Sequence, residues 1–222
     1  MNRTLLTTAD GSHTISIPEL NLTYHSRWGA IQESMHVFIQ AGLHLSGQRK
    51  PGAVSIFEMG FGTGLNALLT AIESAKLSLP VHYTAIEPFP LTAEEISQLN
   101  YTDRLGHAAL FNAIHEGGWE ENKTIHQHFI LRKERTTLAD FEPQQAFDLI
   151  YYDAFAPAAQ PELWDLQAFQ KLFSMLEPGG HLVTYCSKGD VKRAMTAAGF
   201  TVTKLPGPPG KREMLRAEKP LL

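Results

Sequence analysis

Four acids stand where four strand-like runs end: Glu58 after AVSIF, Glu87 after VHYTAI, Glu134 after FILRK and Asp153 after FDLIYY. Behind the first acid come three glycines at alternate positions, Gly60, Gly62 and Gly64, and then an apolar helical pattern that opens with Leu65 and Asn66. A turn this bare lets a backbone lie close against a ligand. In open α/β sheets ligands bind beyond the carboxyl ends of the strands, which is where all four acids fall. Glu87 lies 23 residues past Gly64, the spacing at which an acid accepts hydrogen bonds from ribose hydroxyls. Glu134, one strand over, is expected to face an adenine amino group. Asn66 and the free N–H groups at the helix start add polar contacts.

The ligand this suggests is a nucleoside, but the turn departs from the dinucleotide fingerprint G-x-G-x-x-G. Leu65 occupies the position of the third glycine, the spacing is G-x-G-x-G, and the turn carries no basic residue. Glu58 at its mouth suits a cation better than a pyrophosphate, because like charges repel. S-adenosylmethionine, with a sulfonium and an ammonium, fits; a nicotinamide-dependent Rossmann oxidoreductase is the second reading.

The elements that must hold these residues alternate. TLLTTADGSHTISI reads as a hairpin around Asp10-Gly11. A helix is expected from about Ile31, with Met35, Phe38 and Ile39 on one face. AVSIFE, VHYTAIE, FILRKE, FDLIYYD and HLVTYC read as strands, separated by helices at LNALLTAIESA, LTAEEISQL (capping box Thr92 and Glu95) and PELWDLQAFQKLFSMLEPGG, the last stopped by Pro178-Gly179-Gly180. VKRAMTAAG is a helix closed by Gly199, and FTVTKL and EMLRAE form an antiparallel finish. Residues 101–124 read as helix and loop. The expected fold is a mostly parallel α/β sheet covered on both faces. In domain terms, residues 1–50 form an N-terminal hairpin and helix packed on a main domain of residues 51–222.

The chain has 222 residues, 43% hydrophobic and 19% charged, and no apolar run as long as a membrane span, so no membrane partner is expected. Its N-terminus lacks a secretory apolar core, and its single cysteine, Cys186, excludes an internal disulfide, which points to a cytoplasmic address. Cys186 reads as a small buried hydrophobe. His126 and His128 alternate on a strand-like run without a partner cluster, so no metal site is expected. No serine sits in a G-x-S-x-G elbow, which argues against a hydrolase. The net charge is −4, yet from Lys188 onward eight basic residues face three acidic ones, a local +5 that suits phosphates.

EMGFGTGLN (58–66), DAFAPAAQPELW (153–164) and GPPGKREML (207–215) resemble the methyltransferase domain of the tRNA 5-methylaminomethyl-2-thiouridine biosynthesis bifunctional protein family. YHSRWGAIQESMHVF (24–38) and YCSKGDVKRAMTAAGFTV (185–202) resemble it too, in order, from about residue 20 to 216. The resemblance implies a class I, Rossmann-like methyltransferase fold with an antiparallel C-terminal strand, and S-adenosylmethionine as cofactor. It implies cofactor contacts by Tyr24 and Glu33 beside Glu58, Gly60, Gly62, Gly64, Asn66, Glu87 and Glu134. The family often has Gly-Asp where this chain has Lys133-Glu134. It also implies a reaction: methylation of the amine of 5-aminomethyl-(2-thio)uridine at the tRNA wobble position. A free amine attacks the sulfonium methyl in line, with Asp153 placed to accept an amine N–H and its proton. Phe155 is expected to stack on the uridine, Pro157 to stiffen the loop, and Lys211 and Arg212 to contact tRNA; Trp164 is equally suited to core packing. The chain reads as a stand-alone version, with a functional link to a separate flavin-dependent oxidoreductase. A non-catalytic module that binds adenosylmethionine or RNA is the remaining alternative. An aminopropyl transferase would use a related sulfonium, but it would leave the basic C-terminal stretch without a purpose.

Overall fold

The Asp10-Gly11 turn joins strands β1 (Thr4–Thr7) and β2 (His13–Ile17), which pair antiparallel, with Gly11 in the left-handed region at φ 79°. A short β3 (Leu22–Thr23) completes this three-stranded sheet. The structure, a computed structural model, describes residues 2–50, 52–116 and 118–221. The expected domain boundary at Pro51 and the chain end at Leu222 lie outside the described residues.

The helix expected from Ile31 starts at Ala30. It runs as α1 (Ala30–Ser34), widens into a π-helical stretch (Met35–Leu43), and closes as α2 (His44–Arg49). Val37, Phe38, Ile39 and Leu43 are buried, and they share one core with Ile15 of the small sheet, Val54 and Tyr151 of the main one, and Leu68 of the helix Leu65–Leu77.

The main sheet has eight strands in the order β10-β11-β9-β8-β4-β5-β7-β6. They are β4 (Val54–Met59), β5 (Val81–Ile86), β6 (Asn122–His126), β7 (Phe129–Glu134), β8 (Phe147–Tyr152), β9 (Leu176–Thr184), β10 (Thr201–Pro206) and β11 (Glu213–Glu218). The pairs β9-β8, β8-β4, β4-β5 and β5-β7 are parallel; β10-β11, β11-β9 and β6-β7 are antiparallel. The order reverses at β4, the switch point at which doubly wound sheets open a crevice. One core lies on each face, centred on Phe38 and Leu68 on one side and on Phe57, Phe169 and Leu172 on the other.

Helix α3 (Leu65–Leu77) follows β4, and α4 (Ala93–Ser97) follows β5 with the expected Thr92–Glu95 capping box. Beyond α5 (Tyr101–Leu105) and α6 (Ala108–Glu116) the structure departs from the sequence reading. Part of what reads as loop before residue 124 is edge strand β6. Its sequence NKTIH has one large apolar residue, because an edge strand beside a single neighbour buries little. A second departure concerns the long helix before β9. It is a 3-10 turn (Pro161–Leu163) and then α7 (Leu166–Met175), capped by Asp165. Pro178-Gly179-Gly180 does not stop this helix; it lies in the first part of β9, where the pairing to β8 shifts register. Helix α8 (Gly189–Ala197) precedes Gly199, whose φ is 109°.

Candidate active site

In a parallel sheet, residues in register share a face, and alternate residues change face. Glu58 is in register with Ala85 of β5 and Tyr151 of β8, and Ala85 with Lys133 of β7. Their side chains therefore point to the α3 side. Glu87 and Asp153 are each one residue past Ile86 and Tyr152, which face the opposite core, so they return to the Glu58 side. Glu134 is in register with Ile86. It points the other way, pairs with Arg132 Nε at 2.7 Å, and lines a separate groove with Phe141 and Phe147. Three of the four strand-end acids thus meet and the fourth does not.

Two of the three, Glu58 and Asp153, are tied together by the start of α3. Asn66 donates its Nδ2 to Glu58 Oε1 at 3.0 Å and to Asp153 Oδ2 at 2.9 Å. Glu58 Oε2 and Asn66 Oδ1 are buried without a hydrogen-bond partner. Tyr83 lies beside Glu58, but its hydroxyl makes no hydrogen bond of good geometry. Burial raises the Glu58 carboxyl well above its ordinary range, with Asn66 and Tyr83 opposing. Asp153 keeps a partial opening to the cleft. Its carboxyl is nevertheless enclosed enough that burial, helped by the charge of Glu33, pushes it up to about 7, while Asn66 and Lys211 pull it down. At neutral pH such a group both accepts and releases a proton readily.

The glycine turn forms the wall above these acids. Gly60 and Gly62 have φ of 90° and 50°. A Cβ on Gly60 would stand 3.1 Å from the Asp153 carbonyl oxygen, and one on Gly62 would stand 3.0 Å from Tyr24 Cδ1. Glu87 braces the turn: one oxygen accepts from Gly62 N at 3.1 Å and the other from Phe89 N at 2.9 Å. Gly64 caps α3 with φ 72°. Together with Tyr24, His25, Phe89, Asp153 and Phe155, the turn lines a cleft that opens to solvent. Tyr24 and Phe155 meet edge to face, with ring centroids 5.2 Å apart.

A second pocket shares Tyr24, His25, Ala154 and Phe155 with the first. Glu33, Tyr185 and Lys211 line it. Lys211 sits in the β10–β11 turn, where Arg212 is exposed but Lys211 points inward and pairs with Glu33 Oε1 at 2.5 Å. Glu33 belongs to this second pocket and does not line the first. Neither pocket wall includes Pro157 or Trp164. Trp164 is buried against Tyr152 and Phe169, and its indole N–H is held by the Phe155 carbonyl. Cys186 is buried, and burial raises its thiol.

The sequence reading missed two residues. His25 stands where the pockets meet, hydrogen-bonded to Thr14 and held neutral by burial, which lowers it to about 4. Lys133 occupies the cleft-side face at the end of β7. Its ammonium donates to the Ile114 and His115 carbonyls at the C-terminus of α6, near Phe61 and Trp119. Counting strand parity from Glu58 would have found Lys133; nothing in the sequence marks His25. Among the described residues no group of three or more His, Cys, Asp or Glu is arranged to hold a metal, and no helix is long and apolar enough to cross a membrane.

A family model described as S-adenosyl-L-methionine-dependent methyltransferase matches residues 107–220. The tRNA 5-methylaminomethyl-2-thiouridine biosynthesis bifunctional protein MnmC of Ectopseudomonas mendocina is 33% identical over 215 residues, covering 86% of this chain and 31% of the relative. The protein of the same name from Burkholderia thailandensis is 32% identical over 233 residues, covering 97% and 35%. The chain thus spans about a third of the length of the curated relatives it matches. The crystal structure of MNMC2 from Aquifex aeolicus superposes with a TM-score of 0.79 at 24% identity, covering 100% of this chain and 72% of that one. That likeness establishes the fold as Rossmann-like, of class I, with its antiparallel C-terminal strands. The nicotinamide alternative finds no support in these matches.

Proposed function

The chain belongs to the S-adenosyl-L-methionine-dependent methyltransferases, and from that premise we propose that it methylates the amine of 5-aminomethyl-(2-thio)uridine at the wobble position of tRNA. The observation that carries this reading is the pair of adjoining pockets: Asp153, poised near neutrality, lines the cleft beneath the glycine turn, and Tyr24, His25, Ala154 and Phe155 join that cleft to a second pocket walled by Glu33 and Tyr185. The names of the relatives supply the substrate.

The residues of the cleft suit the cofactor. The left-handed glycines let the turn pack against the Asp153 carbonyl and the Tyr24 ring, contacts a side chain would break, and so keep the Gly60 and Gly62 backbone in the cleft wall. Asn66, in the cleft wall, has its Oδ1 acceptor unpartnered and calls for a hydrogen-bond donor, which an ammonium provides. In our assignment Glu87 takes the ribose hydroxyls, the backbone of Gly60 and Gly62 lines the nucleoside, and Asn66 and Asp153 hold the amino-acid end; Gly64 and the fully buried Glu58 lie outside the cleft wall, and Glu58 acts by holding Asn66. Tyr24 covers the turn. S-adenosylmethionine supplies an electrophilic methyl group on a sulfonium.

The rest of the chemistry falls to this chain. The substrate amine must lose a proton before its lone pair is free, and Asp153 is the acceptor we assign. Asn66 fixes the orientation of the Asp153 carboxyl. Phe155 and Tyr24 exclude water at the meeting point of the pockets and position the uridine, so alignment supplies much of the rate. Glu134, turned to the far side of the sheet, is left out of the cofactor site; Lys133, on the near side, lines neither pocket and is bound to the end of α6. We further propose that the protein acts in the cytoplasm on tRNA, linked functionally to a separate flavin-dependent oxidoreductase.

The test is methyl transfer by the purified protein to tRNA whose wobble uridine carries a 5-aminomethyl group, read by mass spectrometry of the digested nucleosides. One added methyl on that nucleoside is expected. Methylation of another nucleoside only, or of none while S-adenosylhomocysteine binds, overturns the substrate assignment.

A further inference from the structure

Lys211 is a surface-turn lysine that does not stay on the surface. Its Nζ lies 2.5 Å from Glu33 Oε1 and 3.9 Å from the centroid of the Tyr185 ring. Glu33 accepts on both sides: its side chain is 7% exposed, and its other oxygen accepts from Ser26 N at 2.7 Å. Tyr185 presents its ring face because its hydroxyl already donates to the Ala154 carbonyl at 2.8 Å. A buried carboxylate beside an aromatic face is a binding site for an ammonium. Here it lines the pocket that adjoins the cleft, next to Phe155.

We infer that Glu33 and Tyr185 form the subsite for the substrate's primary alkylammonium, and that Lys211 fills this subsite as a tethered stand-in until substrate displaces it. The inference rests on the methyl-acceptor reading above. Three observations support it. The head group of Lys211 is itself a primary alkylammonium, so the two occupants have the same chemistry. Lys211 enters from the rim, with its side chain 30% exposed, on a turn whose Gly210 has φ 82° and abuts the Trp28 ring. A lysine left in place would set a second cation against the substrate amine and leave it no carboxylate. Once displaced, Lys211 is free to meet a phosphate of the bound RNA, while the captured ammonium passes one proton to Asp153 and becomes the neutral nucleophile.

The probe is the nucleoside 5-aminomethyluridine, titrated calorimetrically into protein saturated with S-adenosylhomocysteine, with uridine as the amine-free control. Lys211→Ala should bind the aminomethyl nucleoside about tenfold more tightly than wild type, since no tethered competitor remains. Lys211→Met, which keeps the packing on Tyr185, should do the same and stands in if the alanine variant fails to fold. Adding Glu33→Gln should erase the gain, and uridine should bind all variants alike. Equal or weaker binding in both Lys211 variants, an equal gain for uridine, or no binding by any variant overturns the subsite. If wild type still methylates tRNA, the function stands without it. If the nucleoside behaves as expected but tRNA is not methylated, the substrate reading fails and the ammonium site remains.

Discussion

Asn66 donates one amide group to both Glu58 and Asp153, at 3.0 and 2.9 Å, joining two strand ends that lie far apart in sequence. One carboxyl sits fully buried at the end of β4, and the other opens onto the cleft after β8. Removing the bridge should matter more to turnover than to folding. Asn66→Ala should lower kcat by about tenfold or more, as expected when an orienting group is removed. Asn66→Asp should do worse, because it sets three acids side by side. Steady-state kinetics with matched thermal melts separates the two effects.

Asp153 carries the proton transfer. Asp153→Ala should reduce turnover by a factor on the order of 10² or more, with a much smaller fall in S-adenosylhomocysteine affinity. In the wild type, kcat/KM should rise with pH through about 7 as the carboxyl ionises. A profile flat from pH 6 to 8, once the titration of the substrate amine is subtracted, would remove Asp153 from that role.

The same raised carboxyl has a stability consequence. Its folded-state value of about 7 lies above its ordinary 3.8. The unfolded chain therefore releases this proton first, and stability falls as pH rises between those values. Asp153→Asn should flatten that decline and melt higher than wild type at pH 8, by roughly 2–4 °C for each kcal/mol recovered. Melting curves at pH 5 and pH 8 test the sign, and a variant that gains nothing at pH 8 contradicts it.

Gly62 takes φ 50° directly beneath Tyr24. Gly62→Val should abolish cofactor binding, because its side chain must displace the ring that covers the turn. Gly106 is the control. It has φ 76° with nothing within 4 Å of the point a Cβ would occupy, so Gly106→Ala should cost about 1 kcal/mol of stability and leave binding unchanged. Calorimetry with S-adenosylhomocysteine reads both.

Much of the cleft is legible in the sequence for a physical reason. A glycine turn after an apolar strand, with acids at neighbouring strand ends, is a local pattern whose consequence is local. Glu134 is different, since its side-chain direction depends on register with Ile86, and one residue of parity moves it to the other face. Strand β6 was hidden because an edge strand needs few apolar residues. The inward turn of Lys211 was hidden because its partner, Glu33, is 178 positions away. The charge pattern around Lys211 and Arg212 looks like a solvated edge, and for Arg212 it is one.

That distinction splits the two basic residues in RNA binding. Arg212 and Lys188 are exposed, so replacing them with Ala should weaken tRNA binding and reduce its salt slope by about one for each phosphate left unneutralised. Lys211→Ala should change the slope only if the displaced ammonium reaches a phosphate. Filter binding over a salt series checks this, and an unchanged slope in the Arg212/Lys188 double variant places the RNA elsewhere.

The most direct test of the central claim is mass spectrometry of wobble uridines in tRNA from cells lacking this protein. In those cells 5-aminomethyl-(2-thio)uridine should accumulate and its methylaminomethyl form should disappear, and wild-type protein, but not Asp153→Ala, should restore it. An unchanged wobble nucleoside profile in those cells would contradict the assignment.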